Sequence, residues 1–462
     1  MDQLSSVKHG QQGLPILGTV KGGKEVRKEF IQAKTEVLRR QLQRLAGVPK
    51  QEALTLLRLC FSAQNKHLLR SMDTSDLEDE LAALDEEQYA FLDKLRNAPA
   101  DPRSKRIYSF PPRFGGLGVL SHVEIREHAY LASIAASRET LKRIGLNDNN
   151  TVRELGDLQE RAGAPEERNF YKRLEPAMPT VAEEQQRVVS QKARTLADMQ
   201  IKYDTFLNAL SVDDRVTFVD NSSKIGMAWL YAKSTNGRYR HLNDCQVTNA
   251  IAVQTLTSQG SGGVCTNCGE FNSKSHYEAC PTPSKQNMWQ LRHNHVRDSM
   301  VAVLNKDKKK QVSKEPHINN NNNQRGDIRV EAAAGEHEDN AYFGFVDITV
   351  KAVLGTHTGL ARLSARRLAE EQGKGKLQST RAEIEAALQL GVDTKHRTYQ
   401  EAMGQGAKLL PLVISSGGTL HKKFYEYLKA MIPDPQARSN LCTDVSIALV
   451  RARAELLSAR AR

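Results

Sequence analysis

Two aspartates are the chain's clearest candidates for metal chemistry. Asp327 precedes Ile328-Arg329-Val330, and Asp347 stands within Phe345-Val346-Asp347-Ile348-Thr349-Val350; both runs read as β-strand rich in β-branched residues. Residues 328–346 separate them, enough for a hairpin loop through Gly335 to Asn340 that would set both carboxylates at one end of adjacent strands. Carboxylates held that close repel unless a cation lies between them. Mg²⁺ or Mn²⁺, shared with substrate phosphate and water, is the usual solution. Such an ion activates a bound water and stabilises the charge that builds on the phosphate. A third charge, normally a lysine, orients the water or stabilises the transition state. The residue two after Asp347 is Thr349, so the lysine must come from elsewhere, and Lys395, four residues before Tyr399 in a helical stretch, can point back at the strand ends. The same aspartates serve equally well as turn and strand-end residues that only accept hydrogen bonds, and spacing alone leaves both readings open.

A second constellation is Cys265-x2-Cys268-x7-His276-x3-Cys280, three thiols and one imidazole in a short segment. Zinc takes four such ligands in a tetrahedron, and the tight first loop lets two thiolates reach one ion while the longer loop brings the other pair around. Gly262, Gly263 and Gly269 supply backbone freedom. With no open coordination position the zinc would be structural, and so small a knuckle commonly presents a nucleic-acid contact. The competing reading is a loop with reduced cysteines and a surface histidine. The remaining cysteines, Cys60, Cys245 and Cys442, are scattered singly, which argues against a disulfide framework.

The elements that must position these groups can be read from periodicity. Residues 25–70 form a helical hairpin broken at Gly47 to Pro49, and Asp76 to Arg96 a third helix. Asn97 to Phe114, rich in proline and basic residues, predicts a hinge. Helices follow from His122 to about Leu141 and from Val189 to Leu210. Val212-Asp213-Asp214-Arg215 resembles the paired aspartates of a polymerase hairpin only superficially and reads as a loop ending the preceding helix, with Val216 to Val219 as a short strand. Beyond the cysteines come a helix (Trp289 to Leu304), two strands (Ile328 to Val330, Phe343 to Val350), and a helical region from about Leu360 to Lys408 with a break near Gly373 to Lys376. A buried strand (Leu409 to Ile414), closed by Gly417 and Gly418, and two last helices complete a compact α/β unit. The lysines at 306 and 308 to 310 and the run Asn319 to Asn323 read as solvated connections.

The 462 residues include 66 Lys and Arg against 54 Asp and Glu, a net charge of +12 that favours polyanionic partners, nucleic acid first. No window approaches the roughly 20 apolar residues of a membrane span, and no apolar signal stretch opens the chain, which predicts a soluble intracellular protein.

With these residues in view, the chain resembles the C-terminal half of non-LTR retrotransposon reverse transcriptases that carry a restriction-like endonuclease. The similarity lies in Gly13-Leu14-Pro15-Ile16-Leu17-Gly18, Val48-Pro49-Lys50-Gln51-Glu52-Ala53-Leu54 with Leu57-Arg58-Leu59-Cys60, Pro112-Arg113-Phe114-Gly115-Gly116-Leu117-Gly118, and Ala129-Tyr130-Leu131-Ala132-Ser133. The knuckle, Arg292-His293-Asn294, Arg325-Gly326-Asp327-Ile328, Asp347-Ile348-Thr349-Val350, Lys395 with Tyr399, Pro411 and Gly417-Gly418 follow in the family's order. The resemblance implies an α+β multidomain chain: end of the palm and helical thumb (1–100), a mostly helical linker (101–250), a CCHC zinc knuckle (260–284) and a small α/β restriction-like endonuclease (285–462). It implies that Asp327 and Asp347 hold Mg²⁺ or Mn²⁺, that Lys395 is catalytic, and that Arg292, His293 and Arg325 bind nucleic acid. Nicking of target DNA in the nucleus would then prime reverse transcription, with element RNA a further partner. The polymerase's own aspartates would precede residue 1, so a truncated chain without polymerase activity is expected. Gly326, where a proline often precedes the first aspartate, and the knuckle's short last spacer keep a catalytically inactive nucleic-acid-binding remnant as the alternative, with a plain helical scaffold third.

Overall fold

The computed structural model describes residues 14–16, 18–99, 101–143, 191–233, 240–257, 264–265, 268–269, 276–280, 283–319, 322–333, 342–400 and 408–460. They belong to two compact units, one built from 1–47, 56–92 and 119–203, the other from 48–55, 93–118 and 204–462. Segments 1–100 and 101–250 of the sequence reading each contribute to both units, whereas the cysteine cluster and segment 285–462 lie wholly in the second.

The chain starts with a hairpin of β1 (Leu14–Ile16) and β2 (Thr19–Lys21). It turns at Gly18, whose φ of 81° suits a residue without a Cβ. Helix α1 (Lys24–Leu45) buries Ile31, Leu38, Leu42 and Leu45 along one stripe. It is followed by α2 (Lys50–Leu56), which runs on into a π turn over Leu57–Phe61, and by α3 (Leu68–Ser71) and α4 (Glu78–Arg96), as the periodicity predicts.

Where a hinge was expected, the structure has a helix, α5 (Pro102–Ser109). Proline is no obstacle there because Pro102 opens the helix, where its missing N–H would be unpartnered anyway. Asp101 caps the helix, its carboxylate accepting the Ser104 N–H at 3.0 Å. Ile107, Tyr108 and Phe110 are fully buried, and the Tyr108 hydroxyl donates to Asp93 Oδ1 at 2.7 Å, so this segment is core rather than linker. Burial would raise the Asp101 carboxyl, but the hydrogen bonds from Ser104 outweigh it and hold it below the ordinary range. A group depressed in the folded state stabilises above its unfolded pKa and loses that contribution as pH falls through the folded value. Asp101→Ala is therefore expected to cost about 1 kcal/mol near neutral pH, and the deficit should shrink in melts taken under acid conditions. A deficit independent of pH would show that the carboxylate is not the cap.

Helices α6 (His122–Arg143) and α7 (Gln191–Ala209) follow. Val216 to Val219, expected as a strand, lies instead in helix α8 (Val212–Asn221). Val216 and Val219 are one turn apart on its buried side, so a short β-branched run there marks a buried helix face. Asp213 and Asp214 occupy its first turn behind the Ser211 cap, where carboxylates suit the positive end of the helix dipole. The pair thus opens a helix instead of ending one. Helix α9 (Asp244–Gln254) begins with an Asn243–Gln246 capping box, and α10 (His276–Ala279) is a single turn.

The second unit holds the long helix α11 (Pro283–Leu304), β3 (Lys310–Lys314), the small hairpin β4 (His317–Asn319) and β5 (Asn322–Arg325), then β6 (Ile328–Ala332) and β7 (Gly344–Lys351). Next come α12 (Gly359–Glu371), α13 (Lys376–Thr398), β8 (Leu409–Ser415), α14 (Lys422–Met431) and α15 (Pro435–Arg460). One four-stranded sheet has the order β3-β6-β7-β8, antiparallel except for the parallel pair β7–β8. A parallel neighbour requires a crossover, supplied by α12 and α13, which break apart at Gly373 (φ 68°) as expected. The lysine-rich connection is partly structured, since Lys310 opens edge strand β3, a place where lysine is well tolerated. Asn319 and Asn322 likewise pair across the small hairpin. The loop from Gly335 to Asn340 lies outside the described residues.

The sheet's two faces have different partners because strand side chains alternate. Ile328, Val330, Val346, Ile348, Leu412 and Ile414 pack with Val296, Met300 and Leu304 of α11 and with residues of α14 and α15. Helix α13 covers the opposite face at β8, where Gly391 permits close approach: a Cβ there would lie 3.0 Å from Val413 Cγ1. Segment 285–462 is thus an α+β unit with helices on both faces of a mixed sheet. No helix among the described residues is long and apolar enough to cross a membrane.

Candidate functional site

The register of β6 and β7 sets Ile328 opposite Val346, so Asp327, just before β6, comes opposite Asp347. The Asp327 N–H donates to Val346 O at 3.0 Å, and the Ile348 N–H donates to Asp327 Oδ2 at 2.6 Å, fastening this carboxylate to β7 itself. Since Val346 and Ile348 point into the core, alternation turns Asp347 towards the other face of the sheet. There it is 3% exposed and meets α13. Lys395 Nζ forms an ion pair with Asp347 Oδ2 at 2.7 Å, and the Tyr399 hydroxyl donates to Asp347 Oδ1 at 3.0 Å. Lys395 and Tyr399 are one helical turn apart, which is why the same helix end supplies both. Burial pushes the Asp347 carboxyl up; Lys395 opposes this, the nearby Asp327 charge adds to it, and the net direction is upward. Such mutual repulsion is expected of carboxylates arranged to share a cation.

The three residues Arg292-His293-Asn294 separate in space. Successive helical residues point about 100° apart, so adjacency in sequence does not make a common surface. His293 continues the stripe Val296, Met300, Leu304 towards the sheet, and its Nε2 stands 2.9 Å from Asp327 Oδ2. Its Nδ1 is 3.2 Å from Asn294 Oδ1. Burial would lower the imidazole, but its hydrogen bond to Asp327, the Asp327 charge and the contact with Asn294 prevail and raise it. Arg292 is 4% exposed, with burial pulling its guanidinium down and the Glu278 charge opposing. Its guanidinium is thus turned away from solvent, whereas the expected contact to nucleic acid calls for an exposed one. Arg325, by contrast, is exposed beside Asp327.

The cysteine cluster closes as its spacing predicts. The ligand atoms of Cys265, Cys268, His276 and Cys280 all lie within 4.8 Å of one another. Cys265 Sγ and Cys280 Sγ are 3.9 Å apart, close to the ~3.8 Å edge of a tetrahedron with Zn–S bonds of about 2.3 Å. Cys268 Sγ and His276 Nε2 stand at 3.1 Å, tighter than the corresponding edge of roughly 3.5 Å. The four residues can therefore hold one metal ion with small adjustment.

One group near the cluster escaped the sequence reading. Glu278, two residues after His276 and two before Cys280, pairs through Oε1 with Arg453 Nε at 2.8 Å, while its Oε2 accepts from the Ser416 hydroxyl. The Arg453 guanidinium also donates to Ser416 O. Asp220 of α8 accepts the Gly417 N–H at 3.1 Å and the Ser415 hydroxyl. Gly417 must be glycine, because a Cβ would fall 2.3 Å from the Asp220 carboxylate. No local signal marks these partners, which lie far apart in sequence. No protein-family model matches the chain, and no curated protein is significantly similar to it.

Proposed function

We propose that this protein is a metal-dependent DNA endonuclease of a non-LTR retrotransposon, with segment 285–462 as a restriction-like nuclease and the cysteine cluster as its zinc knuckle. The observation that carries the reading is the opposed pair Asp327 and Asp347 with Lys395 held on the second carboxylate. Asp327 and Asp347 would hold Mg²⁺ or Mn²⁺. When bound, that ion supplies a water of lowered pKa and positive charge for the pentacovalent phosphate. Lys395, an ammonium within ion-pair distance of Asp347, is placed to donate hydrogen bonds to the attacking water or a phosphate oxygen. Tyr399 fixes the rotamer of Asp347, which keeps the carboxylate aimed as the lysine requires. Cys265, Cys268, His276 and Cys280 would hold zinc with no position open for substrate, a structural role. In this reading the substrate is chromosomal target DNA in the nucleus, the nick primes reverse transcription, and element RNA is a further partner.

The direct test is nicking of supercoiled plasmid by the full chain with Mg²⁺ or Mn²⁺. Open circles that appear with either ion and not in EDTA support the reading; intact supercoils under all conditions reject it in favour of a binding remnant. The 3% exposure of Asp347 is the observation that favours this second reading.

Duplex affinity should fall steeply with salt, because each phosphate neutralised by lysine or arginine releases condensed counterions. Arg325→Ala is expected to reduce the slope of log K against log salt by about 1, as loss of one phosphate contact does. An unchanged slope would remove Arg325 from the interface.

A further inference from the structure

His293 was grouped by sequence with Arg292 as a basic contact to nucleic acid, yet its geometry serves something else. Both donors to the Asp327 side chain, the Ile348 N–H at 2.6 Å and His293 Nε2 at 2.9 Å, fall on Oδ2. Among the described residues none falls on Oδ1, and the Asp327 side chain keeps 15% of its surface open. A carboxylate saturated on one oxygen and open on the other has a single oxygen to offer a cation, in a fixed plane. The imidazole is itself held from two sides. Its helix is locked to the sheet through Val296, Met300 and Leu304, and Nδ1 is engaged by Asn294.

We propose that His293 is a positioning residue of the carboxylate site: by occupying Asp327 Oδ2 it reserves Oδ1 as the metal-ligating atom and fixes the carboxylate opposite Asp347. This inference rests on the reading of Asp327 and Asp347 as a divalent-cation site. It assigns the histidine a role that neither its charge nor its neighbours in sequence suggest. Outer partners that orient a ligating carboxylate typically change metal affinity by about 10- to 100-fold when removed. They do so without touching metal or substrate.

Mn²⁺ binding to the full chain, measured by isothermal titration calorimetry without DNA, separates this role from the others. Wild type, His293→Ala, His293→Gln and Asp327→Ala are compared at matched zinc content and circular dichroism, with nicking followed as a function of Mg²⁺ concentration. The expected result is Mn²⁺ affinity weakened roughly 10- to 100-fold in His293→Ala, partly restored in His293→Gln, whose amide can donate to the same oxygen, and abolished in Asp327→Ala. The Mg²⁺ concentration for half-maximal nicking should rise in parallel, with duplex affinity unchanged. Should His293→Ala misfold, His293→Gln alone decides, through a smaller shift in the same direction. Unchanged Mn²⁺ affinity in a folded variant overturns the proposal, as does lost duplex affinity with metal binding intact, which would return His293 to the nucleic-acid surface. If wild type binds Mn²⁺ through Asp327 with the expected dependence on His293 but never nicks, the endonuclease reading fails while the positioning role stands. Absence of Mn²⁺ binding to wild type overturns both.

Discussion

Asp327→Ala and Asp347→Asn should each reduce metal-dependent nicking by about three orders of magnitude or more, since the metal supplies several kcal/mol of transition-state stabilisation and each carboxylate is half of its site. Because the two act on one ion, the double variant should be little worse than either single one; independent contributions would instead multiply. Duplex binding should persist or strengthen, because a carboxylate facing phosphate is removed. Asp347→Asn is the gentler probe: an amide can still accept the Tyr399 hydroxyl, which in the native protein lies 3.0 Å from Oδ1, while losing the charge that pairs with Lys395. Persisting activity in either variant, or multiplicative losses in the double, would place the chemistry elsewhere.

The largest effect on stability is expected from the cysteine cluster. Helix α10 is four residues long, too short to persist by its own hydrogen bonds, and has the ligand His276 at its start and the ligand Cys280 just past its end. Removal of a metal ion held there should release this turn and with it Glu278, the carboxylate that pairs with Arg453 from between two of the candidate ligands. Leaving the largely buried Arg453 guanidinium without its carboxylate costs about 3–5 kcal/mol, beyond any folding free energy that metal binding contributes directly. Glu278→Ala should reproduce that part of the loss with all four ligands intact, and zinc should then leave at a lower temperature. Glu278→Gln, which keeps an acceptor for Ser416, should do so less. Thermal unfolding followed together with zinc release checks both statements. Equal melting of Glu278→Ala and wild type would show that the ionic network does not couple to the metal.

Much of the frame around the site was legible because it rests on local periodicity. The strands bearing Asp347 and Leu412, the stripe Val296, Met300 and Leu304, and the break at Gly373 follow from alternation, helical spacing and a residue that tolerates positive φ. The Cys3His cluster was legible too, because residues of so short a segment need only a local loop to come together. Misreadings arose where a local cue has two physical outcomes. A proline cluster predicts a hinge, yet Pro102 starts a helix whose residues fill the core. The run Val216 to Val219 predicts a strand, yet β-branched residues one turn apart also make a buried helical face.

By itself, then, the sequence determined which residues carry groups suited to such chemistry: two carboxylates, a lysine one turn from a tyrosine, three thiols with an imidazole, and the excess of positive charge. Tertiary structure alone decided which of them meet. Arg292 and His293 are neighbours in the chain, but the helix turns one away from solvent and the other to Asp327. Glu278, Ser416 and Arg453 form one network only because the single turn between two cysteine-cluster ligands is brought against the end of β8 and the last helix. The physical reason is common to both cases. Side-chain type and spacing fix what a residue can do, whereas the direction of a helical residue and the partner it finds across a long separation depend on how whole elements pack.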